Sequence, residues 1–140
     1  MDPLAYFKEF NCAESVLLAL SDSLNIPCEC IPRIATGFGG GMKTGSVCGA
    51  VSGAVMGFGL VHGRMHSQER EKRDHVYDLV SQFITEFERE HKTIVCRELL
   101  GVDITTEEGR KRYSSENLHT KCKTYVLTAF QIAQTLLFPE

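Results

Sequence analysis

Six cysteines stand in a chain of 140 residues: Cys12, Cys28, Cys30, Cys48, Cys96 and Cys122. No two are spaced as Cys-x-x-Cys, so neither a zinc-finger knuckle nor a thioredoxin-type motif is present. The thiolate form of cysteine is both the nucleophile of redox exchange and the ligand of soft metals, so these are the residues whose chemistry must be explained. Four of them follow a residue able to cap a helix. Cys12 follows Asn11, Cys48 lies just after Ser46, Cys96 just after Thr93, and Cys122 just after Thr120. Each therefore falls in the first turn of an expected helix, where free backbone N–H groups and the positive end of the helix dipole favour an anion. A lowered thiol pKa is expected at all four. The plainer alternative is that they are small buried hydrophobes. Cys28-Glu29-Cys30 is a Cys-x-Cys pair, readable as a redox dithiol, a metal clip or an incidental occurrence in a turn.

The elements that must position these thiols read as helices. Asp2 and Pro3 suit the start of a short helix before residue 10. Asn11 and Glu14 form a capping-box signature for a helix over residues 13–24, whose Val16, Leu17, Leu20 and Leu24 recur every three or four positions. A short helix is expected around residues 28–35, then a glycine-rich loop over residues 37–45. Ser46 is the expected cap of a helix to residue 60, and Ser67 that of a long helix to about residue 89 with Val76, Leu79, Val80, Phe83, Ile84 and Phe87 as its apolar stripe. Thr93 opens a short helix closed by Gly101, and Thr105 with Glu108 suggests another start. The last helix is expected over about residues 120–137, with Val126, Leu127, Phe130, Ala133 and Leu137 inward and Pro139 as its stop. No strand alternation, repeat or linker is visible. The expected fold is all-α: one compact helical bundle over residues 1–140, with a glycine-rich loop before a central glycine-lined helix.

That central helix holds Gly49, Gly53 and Gly57 at intervals of four, on one face, with Ala50 and Ala54 beside them. Glycine costs a helix roughly 1 kcal/mol relative to alanine. A stripe of three implies close approach of another backbone, which would bring a second thiol toward Cys48, or of a cofactor against Gly49 and Gly53. The same face is a candidate contact for a homo-oligomer.

The segment Cys48-Gly49-Ala50-Val51-Ser52-Gly53 fits the Cys-Gly-Ala-x-x-Gly motif of the C_GCAxxG_C_C family, described as redox-active proteins. Asn11-Cys12-Ala13, the Gly37-Phe38-Gly39-Gly40-Gly41 run, Cys96 in Val95-Cys96-Arg97-Glu98-Leu99-Leu100, and Cys122 resemble the family's remaining features, so the likeness covers nearly the whole chain. It implies that Cys12, Cys48, Cys96 and Cys122 act together, as redox thiols or as ligands. A related module resembles part of certain multihaem cytochromes, where such cysteines are associated with an iron–sulfur cluster. No Cys-x-x-Cys-His site exists here, so no haem is implied. Cys28 and Cys30 lie outside the four-cysteine pattern.

The function expected is therefore redox or electron transfer through four thiolates. These would either ligate an iron–sulfur cluster or cycle between dithiol and disulfide with an unidentified redox partner. A zinc-type metal-binding or sensor protein, and a purely structural helical module, are the alternatives; whether the protein is an enzyme is left open. The net charge of −3 gives no basic footprint for nucleic acid. The longest apolar stretch, residues 47–61, is shorter than the roughly 20 residues a bilayer span needs. With no basic segment and apolar run at the start, a cytoplasmic protein without membrane insertion is expected. Three further patterns carry less. Gly40-Gly41-Met42-Lys43-Thr44 resembles a phosphate-binding loop without its glycine before the lysine, though its amides could still hold an anion. Glu88-x-x-His91 and Glu116-x-x-His119 have di-iron spacing, but such a site also needs glutamates from two further helices and four long helices, and the Glu116 pair sits near a helix start, so solvated helix ends are expected. His62 and His66 flank Gly63 and read as exposed loop histidines.

Overall fold

A computed structural model describes residues 2–138. Seven α-helices account for most of it: α1 (Pro3–Tyr6), α2 (Cys12–Leu24), α3 (Gly49–His62), α4 (Arg70–His91), α5 (Cys96–Leu100), α6 (Glu107–Ser115) and α7 (His119–Leu137). No strand occurs among the described residues; Val47 and Val95 form an isolated antiparallel bridge. The expected stop at Pro139 lies outside the described residues. No described helix is long and apolar enough to cross a membrane.

Local chemistry sets most of the boundaries. The Asn11 side chain accepts from the Glu14 N–H at 2.9 Å and the Glu14 carboxylate from the Asn11 N–H at 2.9 Å, which closes the capping box of α2. Asp2 caps α1 through the Leu4 N–H, and Gly101 ends α5 at φ 75°. Several caps differ from expectation. Cys48 itself, not Ser46, is the N-cap of α3, because the Ser46 carbonyl is engaged by the Cys96 N–H at 2.6 Å. Ser67 does not cap α4. Glu69 precedes it and turns its carboxylate back to the Met65 and His66 N–H groups. Val95 precedes α5, while Thr93 accepts from the Val95 N–H and donates to Glu98. Thr106 rather than Thr105 caps α6, and α7 begins one residue early, at His119. The helix expected over 28–35 is displaced to a 3-10 turn over Arg33–Phe38.

The long helices α2, α3, α4 and α7 pack as a bundle. A side chain at Gly49 would strike the Cys12 sulfur, one at Gly53 the Ala13 carbonyl at 2.5 Å, and one at Gly57 the end of Leu20 at 2.6 Å. The glycine face is thus filled by α2 of the same chain, and the two helices run parallel. It is not left free for a second copy. Phe58 packs edge-on against Phe83 and His62 against His75, so α4 returns antiparallel to α3. The stripe of α4 is as expected, with Leu79, Phe83 and Phe87 buried. From α7, Val126, Phe130, Ala133 and Leu137 complete the core, but Leu127 is only half-buried. His62 ends α3 and is half-buried rather than lying in an exposed loop.

Parallel α2 and α3 set their N-termini at the same end of the bundle. The first turn of α7 and short α5 reach that end too. Every cysteine of the four-residue pattern is carried there.

Candidate functional site

The end of the bundle holds a cavity of about 780 Å³, and Cys12, Cys48, Cys96 and Cys122 all line it. They come from α2, the N-cap of α3, α5 and the first turn of α7. All four are free thiols; Cys48 and Cys96 are buried, Cys12 and Cys122 partly so. Two close approaches bring them there. Gly49 lets α3 lie against the Cys12 sulfur. Gly41, at φ 62°, has no room for a side chain between the Ser46 backbone and the Cys96 Cβ at 2.9 Å, so the glycine loop wraps the start of α5. The Cys48 N–H donates to Ile94 at 2.7 Å, and the Tyr125 hydroxyl to Leu99 at 2.9 Å, tying α3 and α7 to the segment around α5. Gly49 borders the cavity, whereas Gly53 is not among its lining residues and faces the α2 backbone.

The expected lowering of thiol pKa is reversed at three of the four. Burial pushes the Cys48 thiol far up, with the neighbouring Cys12 adding repulsion. Burial raises Cys96 to about 12 and Cys122 to about 11, helped in both by charge repulsion from neighbouring cysteines. Backbone N–H groups of Ala50 and Val51 do favour the Cys48 thiolate, as a helix start should, but desolvation outweighs them. These sulfurs are therefore thiols at neutral pH unless something positive takes the place of the proton.

Sequence reasoning missed several residues of the wall. The Tyr113 hydroxyl lies 3.8 Å from the Cys122 sulfur and 3.3 Å from His119 Nδ1, and the His119 ring stacks on Phe7 with centroids 4.6 Å apart. Burial and the neighbouring Cys122 raise the Tyr113 pKa. Lys43 and Arg110 line the cavity as well. Of these, only Lys43, in the phosphate-loop-like run, and His119, in a Glu-x-x-His pair, stand in a recognisable sequence pattern. Met42 and Lys43 are both left-handed, with φ 58°, a conformation non-glycine residues adopt at a cost.

Other candidates lie elsewhere. Cys28 and Cys30 are joined by a disulfide, with Cα atoms 5.3 Å apart, and are not among the cavity's lining residues. Glu116 pairs with Arg112, and His91 bonds to Thr128 at 3.0 Å, so the two Glu-x-x-His pairs do not meet. Among the described residues, no group of three or more histidine, cysteine or acidic side chains could hold a metal ion as placed.

A family model described as "Putative redox-active protein (C_GCAxxG_C_C)" matches residues 10–136. The chain belongs to this family. The matched region contains all four cavity cysteines and the whole glycine face. No curated protein and no solved structure matches the chain. As a C_GCAxxG_C_C protein, it draws its family cysteines from four helices onto one cavity, while Cys28 and Cys30 pair off outside it.

Proposed function

We propose that Cys12, Cys48, Cys96 and Cys122 form one redox centre that ligates an iron–sulfur cluster and passes electrons. The observation that carries this reading is the placement of four free thiols, from four helices, around a shared cavity. Four cysteine sulfurs are the usual ligand set of such clusters. The fit is one of donor type and number. Bound there, a cluster would supply one-electron chemistry. The protein's own part is to hold the sulfurs on rigid helix ends, to exclude water through burial, and to release thiol protons as ligation requires. Tyr113 stands where it can accept the Cys122 proton at its hydroxyl oxygen and donate its own to His119 Nδ1.

A second reading is a dithiol–disulfide cycle within the four. Cys48 is within electrostatic reach of Cys12, and Cys96 of Cys122, and such neighbours are what a disulfide cycle needs. The raised pKa values count against it, because a protonated thiol is a poor nucleophile.

Anaerobic purification separates the readings. Stoichiometric iron and acid-labile sulfide, with visible absorption bleached by dithionite, supports the cluster. A colourless protein with one reversible disulfide among the four supports exchange. Absence of both, with no redox response, contradicts a redox centre.

A further inference from the structure

The thiols occupy only part of the cavity wall. The rest is chemically one-sided. Lys43, Arg110 and His119 line it, and no aspartate or glutamate among the described residues does, in a chain that carries 18 acidic and 15 basic residues. Neither Lys43 nor Arg110 has a carboxylate partner among the described residues. Arg110 uses one guanidinium N–H on the Ile104 carbonyl at 3.1 Å, which leaves further donors. Ile104 links the two: a side chain at Gly40 would meet the Ile104 side chain at 3.2 Å and the Lys43 stem at 3.5 Å, and the Ile104 carbonyl is the group that Arg110 holds. The left-handed backbone at Met42 and Lys43 maintains this placement. Unpaired cations lining a part-apolar recess attract and orient anions, and a guanidinium fork suits a planar oxyanion.

The same wall is also aromatic. Phe7, Phe10, Tyr113 and Tyr125 line it with the thiols, and Phe7 and His119 stack with their rings only 12° apart. A volume of about 780 Å³ is in the range of pockets that enclose small organic ligands.

We infer that this cavity binds a small organic anion, with a carboxylate or similar oxyanion held by Lys43 and Arg110 and a flat unsaturated body laid against the aromatic rings beside the four thiols. This rests on the redox reading above and names the class of that centre's small-molecule partner.

The test uses the anaerobically purified full chain and two probes of equal body, 1-naphthoate and the neutral 1-naphthalenemethanol, titrated by calorimetry. The expected result is at least tenfold tighter binding of the naphthoate. The Lys43→Gln/Arg110→Gln variant should erase that preference while still taking up the alcohol. Lys111→Gln, on the same helix and paired with Glu107, should leave it unchanged. Lys43 and Arg110 are solvent-exposed, and an unchanged circular dichroism spectrum confirms that the variant is folded. Equal binding of the two probes, no binding of either, or a preference that survives the double substitution overturns the inference. So does inorganic phosphate displacing naphthoate while naphthoate binds no better than phosphate. Iron, sulfide and disulfide are assayed separately on the same preparation. Naphthoate selectivity without a redox centre would therefore uphold the anion site and remove the redox reading, and the converse would do the opposite.

Discussion

Cys28 and Cys30 are two positions apart in a half-buried turn and are joined to each other. Cys12, Cys48, Cys96 and Cys122 are spread over four helices, meet at one cavity, and stay as thiols. The first pair needs no fold to bring it together. The second set exists as a set only because α2 and α3 run parallel, α5 is gripped by the glycine loop, and α7 starts at the same end of the bundle. Proximity in sequence thus yields a local cross-link, whereas proximity built by the fold yields a shared environment: wholly or partly buried, and open to a third body. The comparison gives a reason to assign the chemistry to the four.

The largest expected effect breaks that comparison directly. Replacing Cys48 or Cys96 by alanine in the intact protein should abolish the redox-active absorption and reduce bound iron and sulfide more than tenfold. Cys28→Ala/Cys30→Ala should retain both. Loss in the second variant and retention in the first would reverse the assignment.

Thiol reactivity sharpens it. Burial pushes the Cys96 thiol up to about 12 and the Cys122 thiol up to about 11 when no metal is bound. Their alkylation by iodoacetamide should therefore rise about tenfold per pH unit from pH 7 to 9, without a plateau, because only the thiolate reacts. Site-resolved mass spectrometry reads this. The sign for stability follows. A thiol whose folded pKa lies above its unfolded value stabilises the fold fully below the unfolded pKa. That contribution is lost as pH rises, from 9.0 toward about 12 for Cys96. Urea midpoints in metal-free protein should fall across that window and level off below it.

The seam that brings Cys12 to Cys48 can be probed through its glycines. Gly53→Ala places a methyl 2.5 Å from the Ala13 carbonyl, a backbone atom that cannot step aside. It should cost about 1–3 kcal/mol, as overpacking does. Gly57→Ala meets only the flexible end of Leu20 and should cost less. Gly59 has open space, and Gly59→Ala should stabilise the helix by up to about 1 kcal/mol. Denaturant unfolding of the three variants checks the order. Asn11→Ala removes the cap of α2 just before Cys12 and should cost about 1 kcal/mol.

Much of this was legible beforehand wherever the cause is local. The Asn11–Glu14 capping box, the four-residue glycine spacing and the first-turn position of Cys12, Cys96 and Cys122 depend on neighbours within a turn or two, and all three are present, while Cys48 sits one step earlier, as the N-cap of α3. The glycine stripe pointed to a second thiol near Cys48, and the convergence of all four cysteines came as an implication of the family likeness. Other features depend on distant partners. Ser46 is a good cap by type, but its carbonyl is claimed by Cys96, fifty positions on. The thiols were expected to be acidified by helix ends. Burial, a property of the whole fold, decides the opposite. Lys43 joins the wall through the glycine loop, whose phosphate-loop-like run was its one sequence signal; Arg110 and Tyr113 join it through α6, and nothing in their spacing announces it.

The central claim is that the four cavity cysteines are one redox unit. Its most direct measurement is the iron and acid-labile sulfide bound per chain after anaerobic reconstitution with ferrous iron and sulfide, compared between the native protein and single alanine variants of Cys12, Cys48, Cys96 and Cys122. The account predicts stoichiometric loading with a dithionite-bleachable spectrum in the native chain, and its collapse in each single variant. Loading unaffected by all four substitutions, or no loading in the native chain, would contradict it.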